Sequence, residues 1–167
     1  MRPGTRAARG GAVPCGEGEI GAMSTETWVA EYYPVPASEA AGSDVEALEH
    51  SLLKWRGARK DALAKHKVTL DGASLLDNYG KEFVFNSASC ILCIRHMNST
   101  EATCCLCPLF KVLRATCDYD GFRDGKLSPN HTIFPTGNPE PMIAAMEKAL
   151  EVAKANERYW ARQGGLN

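Results

Sequence analysis

Six of the seven cysteines of this chain lie in one stretch, from Cys90 to Cys117. The stretch contains two Cys-x-x-Cys pairs, Cys90 with Cys93 and Cys104 with Cys107, separated by ten residues. A Cys-x-x-Cys turn places two thiolates on one side of a metal ion, and two such turns complete the tetrahedral shell that zinc prefers. The spacing therefore predicts a structural zinc knuckle with these four cysteines as ligands.

Three further residues lie close enough in sequence to alter this ligand set. Cys117 could replace one member of the second pair, and His96 could supply an imidazole in place of a thiolate. A single histidine near such a site more often orients a ligand or lies on the surface. Cys105 shares a turn with Cys104, so we expect its side chain to point elsewhere.

The same cysteines are compatible with other chemistries. An iron–sulfur cluster is the second choice, since Pro108 follows the last pair as in ferredoxin-type runs, but the ten-residue gap does not fit the compact ferredoxin spacing. A redox Cys-x-x-Cys would require a βαβ context, which the pattern lacks. A nuclease-like metal enzyme would use His131 or His96, with Asn130-His131 as its only sequence fragment.

The N-terminal region predicts an intracellular protein. Arg2, Arg6 and Arg9 are not followed by the apolar segment of a signal peptide, because residues 10–21 are rich in glycine. In a reducing compartment, clustered cysteine pairs bind metal more often than they form disulfides. The sequence contains no run of about eighteen apolar residues, so it does not predict a helix that spans a membrane. The net charge of −1 argues against a surface devoted to nucleic acid or anionic lipid.

Composition divides the chain into two parts. Residues 1–22 are dominated by Arg, Ala and Gly, and we expect them to be a disordered extension before a more natural start at Met23. Residues 23–163 are predicted to form a single zinc-stabilised domain. The apolar fraction of 44% allows a core of ordinary density but modest size.

Local patterns predict a small α+β domain, mainly helical, with a short strand pair. A capping box at Ser43–Glu46 starts a helix with apolar residues at three- and four-residue steps, and Gly57 ends or kinks it. A second short helix follows over residues 59–66, and Asp71-Gly72 predicts a turn. Residues 82–86 favour a strand, and Asn138-Pro139-Glu140 begins another helix.

Two other segments each allow a purely structural interpretation and a functional one. The segment from Thr27 to Pro36 contains several aromatic residues and two prolines, which favour an extended path. We expect the aromatic side chains to pack on the domain as a latch; the alternative is a surface on which bases or a peptide could stack. Residues 54–67 carry six Lys or Arg and one acid. That run favours a solvated helical face with snorkelling lysines, and the alternative is a phosphate-binding patch.

The residues Ser-Ala-Ser-Cys-Ile-Leu-Cys at 87–93 and Cys-Cys-Leu-Cys-Pro-Leu at 104–109 resemble small cysteine-rich proteins of tailed bacteriophages and prophages. Tyr-Pro-Val-Pro at 33–36 and Pro-Glu-Pro-Met-Ile at 139–143 are similar too, so the resemblance covers residues 28 to 155. It implies metal binding in the cytoplasm of a bacterial host, and the family has no assigned function. Cys105 departs from the family pattern.

The sequence favours a binding module over an enzyme. Paired carboxylates, an open metal site and a Gly-rich phosphate loop are not evident in the sequence pattern. We therefore expect a small intracellular zinc-binding protein that acts as a non-catalytic interaction module. Its partner is expected to be a protein or a nucleic acid.

Overall fold

The computed structural model describes residues 24–40, 42–96, 106–114 and 136–164. These ranges contain six α-helices, three β-strands and one 3₁₀ turn at Ser87–Ser89. The helices are α1 Thr25–Tyr32, α2 Asp44–Arg56, α3 Lys60–His66, α4 Ile91–His96, α5 Pro108–Leu113 and α6 Glu140–Gly164. The strands are β1 Val68–Asp71, β2 Ser74–Asp77 and β3 Glu82–Val84. The expected α+β class is confirmed.

The sheet is larger than the predicted strand pair. Its three strands are antiparallel in the order β1-β2-β3, with Val68 opposite Asp77 and Ser74 opposite Val84. The predicted strand at 82–86 corresponds to β3, and the predicted turn joins β1 to β2 with Gly72 at φ 55°. The positions of β1 and β2 were not identified from the sequence, because four residues are too few for their pattern to distinguish a strand.

The segment between Thr27 and Pro36 is helical as far as Tyr32, where an extended path was predicted. Helix α1 ends at Tyr32, before Pro34 and Pro36, so neither proline interrupts it. The structure confirms the latch interpretation, since Trp28 is fully buried in the core.

Trp28 is the centre of an aromatic cluster that joins α1 to the sheet. Its ring lies 5.0 Å from the ring of Phe83 and 5.8 Å from that of Phe85, and its Nε1 donates to the Gly57 carbonyl at 2.8 Å. A Cβ atom on Gly57 would lie 2.6 Å from Cγ of Tyr32. Glycine at the end of α2 therefore allows α1 to pack closely.

Both predicted helix starts are confirmed. Glu46 N donates to Ser43 Oγ at 3.3 Å, and Ser43 N donates to Glu46 Oε2 at 2.7 Å, which completes the capping box of α2. Asn138 Oδ1 accepts from Glu140 N at 3.1 Å and caps α6. Helices α2 and α6 then pack on each other across one apolar core, to which α4 and α5 also contribute. None of the helices in the described ranges has the length and apolarity that crossing a membrane requires.

A single carboxylate ties the sheet to α1. Asp77 Oδ2 accepts from Thr25 N at 3.1 Å, and its Oδ1 accepts from Tyr79 N and Lys81 N, each at 2.9 Å. Three backbone donors thus hold one side chain at the end of β2. Because two of them belong to the turn before β3 and one to α1, Asp77 fixes how these three pieces meet.

We expect Asp77 to make the folded state sensitive to acid. Burial raises the pKa of Asp77, but the backbone donors of Lys81, Thr25 and Tyr79 outweigh it and hold that pKa below its ordinary value. The carboxylate therefore stabilises the fold above the unfolded-state pKa of about 4, and this contribution disappears as the pH falls through the lower folded-state pKa. Urea unfolding midpoints measured from pH 6 to pH 2.5 should fall in the wild type. Asp77→Asn should begin lower and change less, and the exposed Asp71→Asn should follow the wild type. Parallel pH profiles for all three proteins would contradict this role.

Candidate metal centre

A local hydrogen-bonded turn places the first cysteine. Asn86 Oδ1 accepts from Ser89 N at 2.9 Å, and Ser89 Oγ accepts from Asn86 N at 3.0 Å. This reciprocal cap closes the 3₁₀ turn Ser87–Ser89 and delivers Cys90 directly before α4. Cys93 follows in the first turn of that helix.

Cys90 and Cys93 bring their sulfur atoms together. Both are thiols rather than a disulfide, and their side chains form a hydrogen bond. That hydrogen bond and burial together raise the pKa of Cys90 well above its ordinary value, while the positive charge of Lys54 acts in the opposite direction. The first predicted pair is therefore a pair of neighbouring thiols, both half-buried, at the edge of the core.

The second predicted pair is described only at Cys107. This residue precedes Pro108, the first residue of α5, and its half-buried side chain packs against the core beside Leu109. Cys104 lies outside the described residues, as do Cys105, Cys117 and His131. Among the residues that the structure describes, no three His, Cys, Asp or Glu side chains are grouped to hold a metal ion. The four-cysteine set therefore remains a prediction.

His96, the alternative imidazole ligand, is engaged by an acid. Its Nε2 lies 3.0 Å from Asp44 Oδ1, and Nε of Arg95 donates to the same oxygen at 2.8 Å. These contacts join the end of α4 to the first turn of α2. They use one ring nitrogen of His96, so metal binding by this side chain would have to use the other.

The run of basic residues predicted a solvated helical face that includes Lys54. That placement is wrong for this residue, because Lys54 is 1% exposed. Its Nζ donates to the Ser89 carbonyl at 2.6 Å and lies 3.4 Å from Ser89 Oγ. The sequence does carry a signal for this burial. Small, fully buried residues lie seven and three residues before Lys54 and four residues after it, at positions Ala47, Ser51 and Ala58.

The other cations of the basic run do not form a free phosphate-binding patch. Three of them are neutralised at the surface by acids from α1 and α6, in the ion pairs Arg56–Glu147 at 2.8 Å, Arg59–Glu140 at 2.8 Å and Lys65–Glu31 at 2.6 Å. The half-exposed side chains match the predicted solvated face. Such pairs hold neighbouring elements together only weakly, since surface ion pairs contribute up to about 1 kcal/mol each.

The described residues supply two neighbouring thiols, Cys90 and Cys93, and do not group a third His, Cys, Asp or Glu side chain with them. A complete zinc shell would therefore require ligands from outside the described residues. Zinc would be held by Cys90 and Cys93 from one turn and by Cys104 and Cys107 from the other. Bound there, it would supply a structural cross-link between α4 and α5.

No protein-family model matches the chain, and the searches of curated proteins and of solved structures find no significant match.

Proposed function

We propose that this protein is a small zinc-binding protein whose four-cysteine site is structural, and that it acts as a non-catalytic interaction module. The setting implied by the resemblance is the cytoplasm of a bacterial host, where it would serve as an accessory protein of a phage or prophage. The observation that carries the proposal is the hydrogen bond between the side chains of Cys90 and Cys93, two half-buried thiols at the start of α4. Four thiolates saturate zinc and leave it no open position for a substrate.

The described surface supports binding more than catalysis. A depression of about 470 Å³ lies between the start of α3 and the start of α6. Its two best-placed ionic groups are committed to each other, since Arg59 donates to both carboxylate oxygens of Glu140 at 2.8 and 2.9 Å. A general acid or base needs to reach a substrate proton, and this pair is already closed.

The end of α6 is the best candidate for the partner-binding element. Residues at seven-residue steps share one face of a helix, and on α6 these include Met146, Ala153 and Trp160. The first two are 1% and 8% exposed, whereas Trp160 is 68% exposed. The core-facing stripe thus continues beyond the domain edge and ends on a large aromatic ring, with Tyr159 at 5.3 Å.

The distribution of charge on this helix end favours a protein partner over a nucleic acid. Arg158 and Arg162 are each two residues from Trp160, which places them about 200° around the helix and therefore on the opposite side. Binding of single strands combines stacking rings with cations on one surface. A helix with an apolar stripe on one side and its cations on the other is typical of helices that bind in the hydrophobic groove of a partner protein. Steeply salt-dependent binding of an oligonucleotide would contradict this choice.

Removal of the metal by a chelator should destabilise one part of the domain and leave the rest folded. We expect removal of zinc to unfold the region from about residue 80 to 120, because binding energy at a structural zinc site is folding energy, of order 10 kcal/mol in isolated zinc peptides. Helices α2 and α6 share a core with the aromatic cluster and should remain protected. Hydrogen exchange measured with and without a chelator tests both statements.

Elemental analysis of the purified protein identifies the ion. One zinc per chain, with four thiols that become titratable only after chelation, supports the proposal. Iron with sulfide would replace it by the iron–sulfur alternative. Nuclease activity that disappears in His131→Ala but survives in His50→Ala would support the metal-dependent enzyme instead of the interaction module. Absence of bound metal, with unchanged exchange after chelation, would contradict the structural zinc site itself.

A further inference from the structure

Helix α6 continues well beyond the core of the domain. Ala153 is the last of its buried residues, and every residue from Ala155 to Gly164 is exposed. At 1.5 Å per residue, this exposed end, which we call the α6 arm, is about 15 Å long. Helical segments shorter than about 12 residues are only marginally stable in water without packing. The α6 arm therefore gains stability when another surface covers it.

One side of this helix end carries a stripe without charge. Four residues follow one another at steps of four, three and four positions, the spacing of contact residues in a coiled coil: Val152, Asn156, Tyr159 and Gln163. With one residue every 100° or so, all four lie within about 30° of a common line along the helix. We call these four residues, together with the adjacent Trp160, the C-terminal stripe. Its three largest apolar side chains, Val152, Tyr159 and Trp160, are all exposed.

The charges of the helix end lie away from the C-terminal stripe. Each charged residue between positions 151 and 162 is about 90° or more from its centre line: Glu151, Lys154, Glu157, Arg158 and Arg162. The stripe can therefore face a second copy of itself without like-charge repulsion. Asn156 lies near its middle, and a single Asn at a contact position of a coiled coil fixes the register of the paired helices.

The charges at one edge of the stripe are complementary when two copies lie antiparallel. With Asn156 on the two-fold axis, residues equally far before and after it face each other in the two copies. Arg162, six residues after Asn156, then comes next to Glu151 of the second copy, five residues before it. Both lie on the same edge of the stripe, about 20° apart around the helix. Symmetry produces this pair twice, whereas a parallel arrangement keeps the two charges at different levels.

We infer that the C-terminal stripe binds a second copy of this chain, and that two α6 arms associate antiparallel into a two-fold dimer centred on Asn156. The inference rests on the proposed role of the α6 end in partner binding and goes further, because it names the partner. In this dimer, Trp160 of each copy covers Val152 of the other. The contact is small compared with the interfaces of permanent dimers, so the dimer dissociates on dilution and dilute protein unfolds as a monomer.

Sedimentation equilibrium of the full-length protein over a range of concentrations tests the inference. We expect a reversible equilibrium between monomer and dimer in the wild type. Trp160→Glu places a charge from each copy in the contact and should weaken the dimer by at least about 10-fold, as does loss of a central aromatic residue. Ala161→Glu introduces the same charge on the opposite side of the helix and should leave the dissociation constant unchanged. Circular dichroism of both variants checks that they fold.

Charge reversal tests the orientation of the two arms and the identity of the partner together. Glu151→Arg and Arg162→Glu should each weaken the dimer on the order of 5-fold, because each brings like charges together twice. An equimolar mixture of the two variants should recover the wild-type affinity. One variant then carries only positive charges at these two positions and the other only negative ones. A mixture that associates no better than the separate variants overturns the antiparallel arrangement.

The outcomes separate this inference from the proposed zinc site. A protein that binds zinc but stays monomeric at every concentration overturns the inference alone, and so does a dimer that Trp160→Glu does not weaken. A protein that binds no metal but forms the dimer, with the expected effects of the variants, overturns the structural zinc site and supports the inference.

Discussion

Cys90→Ser is expected to abolish stoichiometric zinc binding. A serine hydroxyl remains protonated at neutral pH and is a poor ligand for zinc, whereas the half-buried Cys90 thiol is hydrogen-bonded to the Cys93 side chain. The loss of affinity should exceed the roughly 10–100-fold that follows removal of a group that only orients a ligand. Metal content after gel filtration, together with the zinc affinity, measures the effect. Cys104→Ser should behave in the same way if the second pair completes the shell.

The neighbouring cysteine provides the matched control. Cys105→Ser makes the same chemical change one residue from a predicted ligand, and we expect full zinc occupancy in that variant. If Cys105→Ser loses zinc while Cys104→Ser retains it, the second pair has been assigned to the wrong residue. Full occupancy in Cys90→Ser would exclude the four-cysteine site altogether.

Trp28→Ala is expected to cause the largest loss of stability among single substitutions in the described core. The side chain is fully buried, contacts the rings of Phe83 and Phe85, and donates to the Gly57 carbonyl. Truncation of a buried tryptophan to alanine reduces the free energy of unfolding by about 3–5 kcal/mol, because transfer energy is lost and a cavity remains. Urea denaturation followed by circular dichroism measures this difference.

A second tryptophan in the same chain provides the comparison for that prediction. Trp160 is 68% exposed, so Trp160→Ala should change the free energy of unfolding by no more than about 0.5 kcal/mol. Equal losses in the two variants would show that Trp160 is buried by contacts outside the described residues or in an assembly. A negligible loss in Trp28→Ala would contradict the aromatic cluster as the support of α1.

The two sets of variants also distinguish the two sources of stability. Variants of the cysteines should remove metal and protection from α4 and α5, whereas Trp28→Ala should weaken the packing of α1 against the sheet. Lys54 belongs to both regions, because it lies on α2 and holds the turn before Cys90.

Local signals in the sequence were sufficient for much of the helical framework. The Ser43 cap, the Asn138 cap and the turn at Gly72 were all predicted, since each depends on residues within four positions of one another. The strand at Glu82–Val84 was also predicted, from its β-branched and aromatic content. The hairpin of β1 and β2 was not, because strands of four residues depend on their partners more than on their own pattern.

The sequence predicted the candidate site only through the spacing of its cysteines along the chain. The Cys-x-x-Cys pattern identified Cys90 and Cys93, and the structure brings their sulfur atoms together. The run of basic residues placed Lys54 in solvent, which is wrong because its Nζ is buried against the Ser89 carbonyl, thirty-five residues away. His96 stays an alternative ligand, and its contact with Asp44 was not visible in the sequence.

By itself, the sequence determined the pairing of the cysteines along the chain, the starts of the two principal helices and the α+β class. The tertiary structure decided which charges are buried and which aromatic residue supports the core. The physical reason is the separation along the chain between the residues that interact. Caps, turns and ligand spacing are set by backbone geometry over a few residues, whereas burial of the Lys54 ammonium and of the Trp28 ring is set by groups that approach only when distant segments pack together.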